Sequence, residues 1–199
     1  SDYKESERLP GELASSIETI GDEFKITHIS KNTKVTKNAL LHLSNFTDSL
    51  ADWFHKKERT TVLLGKLTKF NDFFLEFESL TQPNFIVRLK QEQHTIRRTI
   101  HRIHHIREVS FVSVGYAVSE ITTVLLIIGF LLAKIDPFYE SLFFIGIVAF
   151  LMLYMIALIK ELDNPFEHYQ DKNDAVIVSL KPLIDLQERM KKELKIITQ

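Results

Sequence analysis

The residue with the strongest claim to chemistry is Glu120, the one charged side chain in the apolar run 109–133. About ten residues into a helix that enters a bilayer, at ~1.5 Å of rise per residue, it would stand ~15 Å deep, near the midplane. A carboxylate there costs a few kcal/mol unless it is protonated, paired or wetted, so it is a functional candidate. Ser113, Tyr116 and Ala117 share its helix face. Together they form a polar stripe that serves either a water-filled path or a seam between helices. Glu140, the one charge in the second apolar run, 137–159, sits near its outer end and is an interfacial residue.

Four basic side chains, Arg97, Arg98, Arg102 and Arg107, spread around a helix whose other side carries Ile96, Ile100, Ile103 and Ile106. Such a helix attracts anionic lipid heads or passing anions, or it is a solvated face that fixes topology. His94, His101, His104 and His105 fall in the same stretch. His101 and His105 have the i, i+4 spacing that puts two imidazoles on one face, as a metal pair needs. Neighbouring guanidinium groups, the lack of cysteine, and Glu108 as the one nearby carboxylate argue for a pH-responsive charge cluster instead. No phosphate-binding glycine loop, nucleophile elbow or HExxH pattern occurs, so the chain is not read as an enzyme. An adjacent bilayer accounts for the basic helix without nucleic acid.

The elements that hold these residues follow from hydropathy. The 199 residues carry a net charge of −1, which hides a basic stretch before the first apolar run and an acidic one after the second. Each run is long enough to cross a hydrocarbon core of ~30 Å, which takes roughly 20 residues. The short turn 134–136 joins them into a transmembrane hairpin. The positive-inside rule puts the basic flank, the N-terminal region and the C-terminal tail in the cytoplasm of a multi-pass cell-membrane protein. The fold class is thus all-α, with four parts: a cytoplasmic helical region at 1–87, a basic membrane-proximal helix at 88–108, the hairpin at 109–160, and a tail with a helix at 161–199. Within the first part, Pro10-Gly11 opens one amphipathic helix, 39–54 forms a second and 60–77 a third, whose phenylalanines are core. The basic helix is free of breakers into the first run, so one long helix can project from the membrane. Pro165 ends or kinks the helix after the second run, and a last helix covers 181–195. The chain starts at Ser1 rather than Met, so segments upstream are expected.

Directly after the second run, Glu161-Leu162-Asp163-Asn164-Pro165-Phe166 resembles the bestrophins, whose last membrane helix is followed by an acidic residue and Asn-Pro-Phe-Gly. It is similar in particular to the bestrophin-like family of bacterial membrane proteins, in which Leu-Asp-x-Pro-Phe precedes a stretch like Val178-Ser179-Leu180-Lys181-Pro182-Leu183. Arg102-Ile103 and Ile106-Arg107 at the entry to the first run also fit, and the resemblance covers about residues 40 to 190. It implies a four-span protomer of which these are the last two spans, assembled as a homo-oligomeric ring in the lipid bilayer and able to pass inorganic ions. It further implies a calcium site after the motif, here Glu167, Asp171 and Asp174. Glu167 replaces the family glycine, and Lys172 interrupts the acidic cluster. In physical terms Pro165 stops the helix, Asn164 bonds its free carbonyls and Phe166 returns an aromatic ring to the interface. The expected function is an oligomeric ion channel with Glu120 in or beside the path. The competing expectation is a non-conducting, membrane-anchored helical interaction module.

Overall fold

In the computed structural model the described residues are 2–108, 113–132, 138–163 and 178–198, and their regular elements are all α-helices. Those up to His105, together with 178–198, form one compact unit, and those from Ile106 to Asp163 form a second.

In the first unit, α1 (Asp2–Lys31) buries Leu9, Leu13, Ile17, Ile20 and Phe24, a stripe with the three- and four-residue steps of one helix face. Pro10 lies inside this helix rather than opening it, a correction to the sequence reading. A proline in a helix interior costs ~3 kcal/mol, and burying one leucine contributes about 1.5–3 kcal/mol. Leu9 and Leu13, both buried, therefore hold the turns on either side in place. Asn32 ends α1 in the left-handed region (φ 43°), with its N–H donating to the His28 carbonyl at 2.7 Å. Thr33 then caps α2 (Lys34–Phe54), its hydroxyl accepting from the Thr36 N–H.

The stretch 60–77 divides into α3 (Thr60–Thr68) and α4 (Phe70–Glu78), which break at Lys69. Phe70, Phe74 and Phe77 are buried, and their ring centroids lie 6.1, 6.3 and 5.2 Å from that of Phe24. Phe46 adds an edge-on contact to Phe70 at 5.6 Å, so these rings are core. α5 (Pro83–Glu108) begins on a proline whose missing N–H costs a first turn nothing. Leu89, Gln93, Ile96, Ile100 and Ile103 form its buried stripe, and the Gln93 amide donates to the Leu67 carbonyl at 2.8 Å.

The last helix, α8 (Lys181–Thr198), packs on α1 and α2 within the same unit. Leu183, Leu186 and Met190 are its buried contacts. Around them Lys25 pairs with Glu193 at 2.5 Å, Arg189 with Glu18 at 2.6 Å and Lys191 with Asp48 at 2.8 Å. The second unit contains α6 (Ser113–Leu132) packed against α7 (Phe138–Asp163). The joint between α5 and α6, expected as one unbroken helix, lies outside the described residues.

Candidate functional site

In the first unit α1 and α5 form the walls of a cleft of about 680 Å³. Glu5, Arg8 and Glu12 face it from α1, and Arg98, His101, Arg102 and His105 from α5, with Leu9 and Thr99 below them. Helical spacing produces both rows: 5, 8 and 12 share a face of α1, as do 98, 101, 102 and 105 of α5. Arg102 binds both oxygens of Glu5, its Nε at 2.9 Å from Oε1 and its Nη2 at 2.8 Å from Oε2. That hydrogen bonding holds the Glu5 carboxyl below its ordinary range, against some desolvation, and the charges of Arg102 and Arg8 act the same way. Arg8 donates to Glu12 at 2.7 Å, which raises its guanidinium above the usual value.

Of the residues singled out from sequence, Arg98, Arg102, His101 and His105 therefore converge, and the others do not. Arg97 donates to the Thr68 hydroxyl at 3.1 Å. Arg107 is half-buried, and desolvation lowers its pKa against the opposing pull of Glu108, yet guanidinium stays charged at any physiological pH. His104 turns to Thr60 at 3.2 Å, whose hydroxyl also takes the Trp53 indole N–H at 2.9 Å. His94 borders a separate, mostly apolar recess of about 630 Å³ with Pro83, Ile86 and Val87. The four imidazoles thus go to three places. Among the described residues no group of three His, Asp or Glu side chains could hold a metal.

Two features escaped the sequence reading. The acidic and basic triad of α1 carries an i, i+3, i+7 spacing that could have marked it. Glu23 could not have been found this way, because it reads as an ordinary polar position. Its side chain is only 8% exposed; Oε1 lies 2.9 Å from Arg88 Nη1, and Oε2 has no hydrogen-bond partner among the described residues.

In the second unit Glu120 and Ala117 are exposed on α6, while the side chains of Ser113 and Tyr116 lie outside the described residues. Most shielded positions form one narrow seam, Thr123 and Ile127 on α6 and Ile145, Ala149, Met152 and Ile156 on α7, and Leu158 of α7 is shielded as well. Around it the apolar surface is open, with Ile121 60%, Leu125 63%, Phe143 66% and Phe150 66% exposed. Among the described residues no helix is long and apolar enough to cross a membrane. The stretches whose side chains are described run over 117–130 and 142–158, each shorter than the roughly 20 residues a bilayer core requires. Of the motif residues, Asp163 closes α7, whereas Asn164, Pro165 and Phe166 lie outside the described residues, as do Glu167, Asp171 and Asp174 of the expected calcium cluster.

The all-helical fold is that of the bacterial bestrophin homologs. It superposes on two aspartate-to-alanine variants of a bacterial bestrophin homolog from Klebsiella pneumoniae, each with a TM-score of 0.69 and 13% identity. The alignments cover 99% and 98% of this chain and 79% and 78% of theirs. A glycine-to-alanine variant of a membrane protein matches with a TM-score of 0.70 and 13% identity, over 98% of this chain and 78% of its own. No family profile matches the chain, and neither does any curated protein.

Proposed function

We propose that this chain is a bestrophin-like membrane protein that forms a homo-oligomeric ion channel, with the α6–α7 hairpin as its membrane-spanning part. The observation that carries the reading is the apolar surface of the hairpin. Outside one seam, Val118, Ile121, Val124, Leu125, Ile128 and Phe130 of α6 are exposed, as are Leu142, Phe143, Phe144, Ile147, Phe150, Leu151 and Leu153 of α7. Water does not tolerate apolar faces on all sides of two packed helices, because burial is worth ~25 cal/mol per Å² of apolar area. Lipid tails and neighbouring protomers cover such faces without penalty. The basic residues before the first apolar run keep that flank, and with it both ends of the chain, on the cytoplasmic side.

The bestrophin-like fold supports the class, and Glu120 supplies the path with a titratable group. A carboxyl group near the midplane interacts with passing ions and with neighbouring polar groups, so replacing it is expected to change conduction. The acidic residues Glu167, Asp171 and Asp174 are proposed as calcium ligands, since carboxylate oxygens suit that ion. Calorimetry with calcium on the purified protein tests this, and no heat at millimolar concentration removes it.

Ion flux tests the channel. Protein reconstituted in liposomes is expected to pass ions selectively, with Glu120→Gln altering the flux. Folded, inserted oligomer that passes neither small anions nor small cations contradicts conduction and leaves the membrane-anchored interaction module.

A further inference from the structure

We propose that the cleft between α1 and α5 binds a small multivalent anion of the phosphate type, and more tightly as the pH falls. The charges that face it are three guanidinium groups, Arg8, Arg98 and Arg102, two carboxylates, Glu5 and Glu12, and the imidazoles of His101 and His105. Arg102 occupies both oxygens of Glu5, and Arg8 holds Glu12, so each carboxylate is already neutralised within the wall. Arg98 is exposed and has no ion-pair partner among the described residues. Its fork is therefore available to grip two oxygens of one ligand, which suits planar or tetrahedral oxyanions. Thr99 lines the same wall and adds a neutral hydroxyl donor.

The fixed charges sum to one positive charge, which disfavours a metal cation and favours an anion. Imidazole is the side chain whose charge changes between about pH 5 and 8, and two of them line this cleft. Protonating both would raise the net charge facing the ligand threefold. A cleft of about 680 Å³ has room for a pyrophosphate-sized group beside its water. Free phosphates and lipid headgroups share this chemistry, and both would meet the same arginine. Conduction is not required for the site, so failure of the channel reading would leave it standing.

The test is calorimetric titration of sulfate, a tetrahedral dianion whose own charge does not change over this range, into the whole chain, purified in a neutral detergent, at about pH 7.5 and about pH 5.5. Binding is expected to tighten about tenfold on acidification. Arg98→Ala, an exposed position whose loss should leave the helix content unchanged by circular dichroism, is expected to weaken binding at least about tenfold at both pH values. The double variant His101→Gln with His105→Gln should keep the affinity seen at the higher pH and lose the gain at the lower. Competition by a short-chain phosphatidic acid would identify a headgroup as the natural occupant, and its absence a free phosphate; either upholds the site. Sulfate that does not bind at the lower pH, or that binds Arg98→Ala as tightly as the parent, overturns it.

Discussion

At the scale of the residue, buried and exposed ion pairs in this chain have opposite consequences. Glu23 is buried with one oxygen on Arg88 and the other unsatisfied among the described residues, whereas Arg88 itself is largely exposed. Removing Arg88 strands a carboxylate in the interior, while replacing the acid by an amide removes the charge and keeps the shape. Arg88→Ala should therefore cost about 1–3 kcal/mol and Glu23→Gln distinctly less. Denaturant melts of the two variants check the order, and equal losses would show that the pair is not strained by its burial. Glu5 behaves differently because it is held at the surface by Arg102. Its folded pKa lies below the ordinary carboxylate value, so the pair stabilises the fold above that ordinary value and the gain disappears as pH falls through the lower folded one. Glu5→Gln should lower the melting temperature near neutrality and leave it unchanged in strong acid. A difference that persists or grows in acid would contradict the pairing.

At the scale of the element, apolar spacing carries most of the first unit. The buried stripes of α1, α2, α4 and α5 follow helical periodicity that is visible in the primary structure, including the phenylalanines of α4. Phe70 touches Phe24, Phe46 and His42 at once, so Phe70→Ala should cost about 3–5 kcal/mol. A loss under about 1 kcal/mol in a chemical melt would mean that the core does not depend on this ring. The start of α1 was not legible, because local rules make Pro10 an opener and only burial of Leu9 and Leu13 holds the helix through it. The docking of α8 was not legible either. Its partners, Glu18, Lys25 and Asp48, stand far upstream, and no local pattern joins them. Those ion pairs are partly exposed, and exposed pairs contribute about 0–1 kcal/mol each. Leu186 is 2% exposed and is the stronger anchor. Molar salt should therefore leave hydrogen exchange of α8 slow, whereas Leu186→Asp should make it fast. Fast exchange in salt alone would show that charge rather than packing holds the helix.

At the scale of the whole molecule, the two apolar runs were the plainest signal in the sequence, and the short Asp-Asn-Pro-Phe motif pointed to the bestrophin fold that superposition shows. The cleft was half legible. Arg98, His101, Arg102 and His105 announced themselves by charge and spacing on α5. Their counterparts on α1 lie roughly a hundred residues away, as in the Arg102–Glu5 pair, and only the packing of two helices brings them together. Glu120 was legible as a charge in an apolar run, while its neighbours Ser113 and Tyr116 lie outside the described side chains.

The central claim is that the hairpin lies in lipid, and the chain is suited to a direct test because it has no cysteine. A spin label on Val124→Cys in α6, and separately on Ile147→Cys in α7, reports its depth in liposomes by collision with apolar oxygen against a water-soluble nickel chelate. High oxygen access with little chelate access at both positions is the result expected of a hairpin that spans the bilayer. Free access of the chelate at both positions, in protein that is folded and bound to the liposomes, would contradict it.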